Sequence, residues 1–305
     1  MTAPPERAGG EPRLMPEAGT SSYYDRPVVK ESVWGPDIPS YLFLGGLAGA
    51  SSALAAGAQL SGHTELARVA KAGAAGAISL SLAALVHDLG RPARFVNMLR
   101  VLKVTSPMSV GTWIVSAYAP SALAACLVSR RLPQVGIPAT IAAGAIGPAV
   151  AAYTSVLIAD TASPAWHGAY RELPYMFVGS AATAAGGLGL LAVPPEQARP
   201  AARLAVAGAA AELTAELLIE RRLGQEAEPY RTGRSGALMR AGQVLAVAGA
   251  AGAVIGRRSR AVSAVSGVAL LAGSAVTRFG VFAAGKASAR DPKYTVGPQR
   301  RRALS

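Results

Sequence analysis

The stretch AELTAELLIE at 211–220 sets Glu212, Glu216 and Glu220 four residues apart in an otherwise apolar run, and a later apolar run carries Arg278. Carboxylates at that spacing share one stripe of a helix. If both runs lie in lipid, each charge costs roughly 2.5 kcal/mol or more to bury. Acid and base are therefore expected to meet, with Glu212 or Glu216 opposite Arg278 and the sixth and eighth apolar segments face to face. Two meanings of that meeting stay open: an ion pair that only joins helices, or a route for protons. The remaining chemistry is sparse. A single cysteine, Cys126, leaves no disulfide framework and no thiolate set for zinc or an iron–sulfur centre. Of the three histidines, His63 follows the first apolar run while His87 and His167 fall at the opposite end, so no pair is placed to ligate a haem. His87 and His167 change charge near neutral pH, which suits either a proton relay or an ordinary loop residue.

The elements that must carry these residues are lipid-spanning helices. The 305 residues are 51% apolar and only 15% charged, where an ordinary soluble domain has about 25% charged residues. Runs near the ~20 residues that cross a bilayer recur at 38–60, 69–86, 108–128, 135–159, 173–193, 201–219, 238–255 and 261–284. Eight spans put both chain ends on one side. That side collects twenty of the 30 Lys and Arg, the other side nine, and Arg278 lies within the last run. By the excess of positive charge inside, both termini are expected in the cytoplasm of a cell-membrane protein. The net charge of +13 is spread between apolar runs instead of forming one basic surface, so nucleic acid is not the expected partner. The first apolar run opens only near Tyr41, which speaks against a secretory signal, and residues 1–22 read as disordered. Trp34, Trp113 and Trp166 fall at span boundaries, as interfacial belts do.

The same arithmetic explains DLGRPARFVNMLR at 88–100, which breaks two apolar runs with four charges and a proline. Pro92 cannot continue a helix, so the turn is expected at 90–92. Beyond it Phe95, Met98, Leu99 and Leu102 follow helical spacing, with Arg94, Arg100 and Lys103 elsewhere around the axis. This predicts an amphipathic helix on the membrane plane, with Asp88 paired to a nearby arginine. It serves either as a headgroup anchor or as the floor of a ligand entrance and a docking surface. An internal echo, YLFLG at 41–45 and YMFVG at 175–179, restarts where a duplicated four-helix unit would. The expected division is a polar arm at 1–37, a first four-helix bundle at 38–159 with an interfacial loop at 87–107, a second bundle at 160–284, and a basic tail at 285–305.

The stretch DLGRPARFVNMLRVLKVTSPMSVGTW at 88–113 resembles the signature loop of the NrfD/polysulfide reductase family of membrane subunits. YYDRPVVKESVW, IPSYLFLGGLAGAS, YTSVLIADTASPAWHGAYRELPYMFVGS and FGVFAAGKASARDPKYTVGPQR agree, from Tyr23 to Arg300. The resemblance implies an all-α integral membrane protein of eight helices in two four-helix bundles. It implies a site for menaquinone or ubiquinone near one face, no haem or iron–sulfur cluster of its own, and a ferredoxin-like iron–sulfur partner. That partner would connect to a molybdopterin enzyme or a hydrogenase. A tyrosine of the fourth span lines the family's quinone slot, and Tyr153 resembles it; Asp37, Ser40 and Tyr41 match the start of the first span. No His or Asn stands there, a departure that leaves the hydrogen-bond partners open. His87 and Asp88 border the same entrance. Tyr23, Tyr24, Arg91, Arg94 and Arg100 are the expected docking residues for the partner. On this reading Glu212, Glu216 and Arg278 carry protons in a respiratory complex; the competing readings are a membrane transporter and a passive anchor without a quinone site.

Overall fold

The computed structural model describes residues 28–297 apart from 92, 130, 257 and 258. Tyr23 and Tyr24, the stretch expected to be disordered and the last residues of the basic tail lie outside the described residues. Among the described residues the chain is helical and carries no strand. Its order is α1 (Asp37–Leu60), α2 (Thr64–Leu89), α3 (Ala93–Met98), α4 (Pro107–Leu127), α5 (Pro133–Ala159), α6 (Pro164–Gly168), α7 (Leu173–Ala192), α8 (Arg199–Leu223), α9 (Glu228–Arg231), α10 (Gly233–Ile255) and α11 (Arg260–Arg290).

Local sequence explains where these helices begin and end. Proline stands at the start of α4, α5, α7 and α8, where its missing N–H costs no hydrogen bond. The Ser106 hydroxyl caps α4 by accepting from the Ser109 N–H, and Ser259 caps α11 in the same way through Val262. α2 stops at Gly90, whose φ of 69° lies in the left-handed region that favours glycine.

Among the described residues seven helices are long and apolar enough to cross a membrane: α1, α2, α4, α5, α7, α10 and α11. They correspond to seven of the eight apolar runs. The sixth run is α8, whose 25 residues reach far enough, at about 1.5 Å each, but carry too many charges to count with the others. α1 packs on α2 and α5, α5 on α4, and α2 on α4; α7 packs on α8 and α11, α11 on α10, and α10 on α8. Glycines let the backbones close at these crossings. A Cβ on Gly49 of α1 would overlap the Gly147 carbonyl of α5, and one on Gly179 of α7 would lie 2.7 Å from the Glu212 N of α8.

Three expectations need correction. α8 and α11 do not pack closely on each other: α8 packs on α7 and α10, and α8 approaches α11 through side chains, with Glu212 beside Arg278. The amphipathic helix after α2 is only the six-residue α3, and its predicted continuation through Leu102 is non-helical. Val101, Val104 and Thr105 follow it, and β-branched side chains lose χ1 freedom in a helix. Trp166 is a core residue instead of a belt residue: it is 0% exposed, and its indole N–H donates to the Val281 carbonyl at 2.7 Å. Gly285 makes the space, since a Cβ there would overlap the ring.

Candidate functional site

The starts of α1 and α4 and the ends of α2 and α5 meet around two phenols. Tyr41, 2% exposed on the second turn of α1, donates its hydroxyl to that of Tyr153 on α5 at 3.2 Å. Tyr153 thus has its own O–H proton to offer elsewhere. Its ring lies against Gly111 of α4, where a Cβ would collide with it. Leu42, Ile158, Leu157 and Leu85 supply apolar surroundings. The backbone carbonyl of Tyr41 accepts from Ser81 at 3.1 Å, which fixes α2 beside the pair.

One helical turn before Tyr41, Asp37 accepts from His87 Nδ1 at 2.8 Å, and this pair is open to solvent. The structure thereby brings together Asp37, Tyr41, His87 and Tyr153, four of the residues picked out in the sequence. Ser40 does not join them, because its hydroxyl donates back to the Pro36 carbonyl at 2.9 Å. Among the described residues Asp88 makes no ion pair with an arginine; the Gly35 backbone N–H is a polar neighbour of its carboxylate. Arg94 of the loop is occupied with the Leu89 carbonyl at 3.0 Å, where it closes the end of α2. Arg91 and Arg100 are exposed.

A second polar cluster lies between α7, α8, α10 and α11. Glu212, Glu216 and Arg278 are buried at 1%, 5% and 1% exposure. No ion pair within 4.0 Å joins Arg278 to either glutamate among the described residues. Instead Arg278 donates through Nη2 to the Phe177 carbonyl at 2.6 Å and lies 3.7 Å over the Phe177 ring. Glu212 remains its electrostatic neighbour. Glu216 accepts from the Gln243 amide of α10 at 2.7 Å. Glu212 Oε2, Glu216 Oε1, Thr277 Oγ1, and Arg278 Nε and Nη1 are buried with no hydrogen-bond partner among the described residues. Glu216, Gln243, Glu220 and Tyr230 also line a cavity of about 10 Å³, roughly the room one water needs. Gln243 went unnoticed in the sequence, although a lone amide inside an apolar run is itself a signal.

The arm and the tail helix close over the same end as Asp37 and His87. Glu31 takes a bidentate pair from Arg290 at 2.6 and 2.8 Å and a third contact from Lys286 at 3.1 Å. Lys286 also donates to the Trp34 carbonyl at 3.2 Å, and Trp34 stacks on Trp166 at 6.3 Å. The Arg290 hydrogen bonds hold the Glu31 carboxyl below its usual value near 4.5, against a smaller opposing effect of partial burial. His167, the other relay candidate, is bonded to the Ala159 carbonyl and stacks on Tyr170. Among the described residues no group of three or more His, Cys, Asp or Glu is arranged to hold a metal ion.

No curated protein matches the sequence. Residues 27–194, however, match the family described as polysulphide reductase, NrfD. That range runs from the arm through α7 and contains both phenols, the Asp37–His87 pair and the loop at 88–113. Since the match covers more than half of a chain built from membrane-length helices, the protein is a multi-pass membrane member of the polysulphide reductase NrfD family.

Proposed function

We propose that the chain is the quinone-reactive membrane subunit of a respiratory oxidoreductase complex. The observation that carries this reading is the Tyr41–Tyr153 pair set one helical turn from Asp37 and His87. A quinone site needs an apolar slot with a hydrogen-bond group at a carbonyl oxygen and a way to exchange protons. Tyr153 fits the first need, with its own O–H proton to donate and Gly111 keeping the ring in place. Asp37 and His87 fit the second, being wet on one side and within a turn of Tyr41 on the other. The bound quinone, menaquinone or ubiquinone, supplies reversible uptake of electrons and protons. Tyr153 positions and donates to a carbonyl oxygen, Tyr41 orients Tyr153, and His87 exchanges protons with water while Asp37 holds its ring.

The fuller arrangement is eight spans, α8 included, in two four-helix units with both termini in the cytoplasm. The neighbour pattern of the helices supports this, as does the charge excess at the terminal end. The electrons come from, or go to, a ferredoxin-like iron–sulfur subunit seated on the face that carries Arg91, Arg94, Arg100 and the arm. A molybdopterin enzyme or a hydrogenase lies beyond it. Glu212, Glu216, Gln243 and Arg278 form a proton route in the second unit. Each buried polar atom without a partner costs about 1–3 kcal/mol, and mobile water along the cluster relieves that cost while carrying protons.

Two measurements on the purified complex test the reading. Tyr153→Phe is expected to lower quinone turnover by about 100-fold while the chain stays folded, its stability lowered only by about 1–3 kcal/mol from leaving the Tyr41 hydroxyl unpaired. Unchanged turnover, together with no labelling of α1 or α5 by a photoreactive quinone analogue, establishes a passive anchor instead. In proteoliposomes Glu216→Gln is expected to slow proton movement; if proton movement and turnover both persist, the route is wrong.

A further inference from the structure

Away from the quinone end, the helices finish in two clefts that nothing above uses. The first, about 880 Å³, is lined by Gln59, Arg68, Lys71, Ser129, Arg131 and Ile137. It lies among the end of α1, the start of α2, the end of α4 and the start of α5. The second, about 640 Å³, is lined by Leu190, Arg199, Arg203, Val206, Ala210 and Val254. It lies among the end of α7, the start of α8, the end of α10 and the start of α11. The helix neighbours of the first set correspond one for one with those of the second: α1 to α7, α2 to α8, α4 to α10 and α5 to α11. The two clefts thus occupy the same place in two successive four-helix units.

Both have the same chemistry. In each, two cations stand one turn apart at the start of the second helix, Arg68 with Lys71 and Arg199 with Arg203, and so project from one face. At the other end of the molecule the basic groups find carboxylates: Arg290 and Lys286 hold Glu31, Arg222 holds Glu172, and Lys293 holds Glu228. Here no carboxylate lies within 4.0 Å of Arg68, Lys71, Arg131, Arg199 or Arg203 among the described residues. The acidic residues nearest in sequence, Glu65 and Glu196, are exposed and line neither cleft. Lys71 reaches only neutral oxygens, Gln59 Oε1 and Ser129 Oγ. Arg199 is also the first residue of α8, where the backbone adds partial positive charge.

The shape separates a lipid from a free anion. From Arg199 to Ala210 the second cleft follows α8 for about 16 Å, at 1.5 Å per residue, and past Arg203 its wall is Val206, Ala207, Ala210 and Val254. In the first cleft Leu127 and Ile137 present 71% and 45% of their surface. A cationic mouth over an apolar trough is the complement of a phosphate headgroup with its acyl chains. We propose that the two clefts are paired binding sites for an anionic phospholipid, one in each repeat, on the face opposite the chain ends. Occupancy would also shield the first turns of α8, the helix too charged to resemble its neighbours.

The test uses the full-length protein, stripped of lipid in a neutral detergent and titrated with phosphatidylglycerol or phosphatidylcholine, with bound lipid read by native mass spectrometry. The expected result is two retained phosphatidylglycerol molecules per chain and no comparable retention of phosphatidylcholine. Arg68→Gln with Lys71→Gln should remove one, and Arg199→Gln with Arg203→Gln the other. Each pair should weaken its site about 30-fold, the effect of two basic side chains beside an anionic surface. Arg68→Lys with Lys71→Arg should restore the first. Equal retention of both lipids by the unmodified protein overturns the proposal without any variant. Retention unchanged in both double variants overturns it too, as does displacement of the lipid by inorganic phosphate at matching concentration, which would mark a free-anion site.

Discussion

Gly111 has no side chain, and the position of Tyr153 depends on that. Any Cβ at 111 would overlap the phenol ring, and overpacking of this kind costs about 1–3 kcal/mol. Gly111→Ala is expected to lower the thermal midpoint and, on the quinone reading, to raise KM for quinone as the ring turns away from Tyr41. A melt coupled to turnover kinetics checks both. Glu31 makes a different prediction. Its carboxyl is held below the usual value in the docked arm, so it adds stability that is fully present above pH 4.5. That stability declines below this pH and is gone once pH falls through the lower, docked-state value. Limited proteolysis should therefore find the arm protected at neutral pH and increasingly cut in acid, and Glu31→Gln should flatten that dependence. The residues gathered at the phenol pair came from the family motif, whereas Gly111 and Gln243 emerged only when α4 and α10 were seen against α5 and α8. Their partners lie 42 and 27 residues away in the chain, beyond the reach of any local spacing rule.

At the scale of the element, apolar run length located the spanning helices because a bilayer permits few other ways to satisfy the backbone. α8 is the informative exception: Arg199, Arg203, Glu212 and Glu216 lower its apolar character, yet it is a full-length helix packed on α7 and α10. Helix neighbours were not legible in the same way. Placing Glu212 and Arg278 on facing helices assumed a direct contact, but Arg278 takes the Phe177 carbonyl of α7 instead. Trp166 was misplaced for a related reason, since the glycine that makes its pocket stands 119 residues later. The glycine crossings give a direct test of how tightly the helices must approach. Gly49→Val sets a branched side chain against the Gly147 carbonyl of α5. Separating α1 from α5 is expected to cost at least about 1–3 kcal/mol, read as a lower midpoint and a loss of folded protein in detergent.

For the whole molecule, the arm crosses the end of α11, so the first described residues and the last long helix share one surface. Deleting residues 1–33 removes Glu31, frees Arg290 from it and leaves Lys286 the Trp34 carbonyl. On the proposed function, the iron–sulfur partner should then wash off the membrane; co-purification undiminished by the deletion would count against that docking face. The buried arginine of α11 has a consequence for biogenesis. A lone helix carrying Arg278 enters lipid at a penalty of roughly 2.5 kcal/mol or more, and the groups that offset it, Phe177 on α7 and Glu212 on α8, are synthesised earlier. The last span therefore gains most by inserting against predecessors already in place, and a ribosome stalled before α11 is expected to leave Glu212 without its counter-charge.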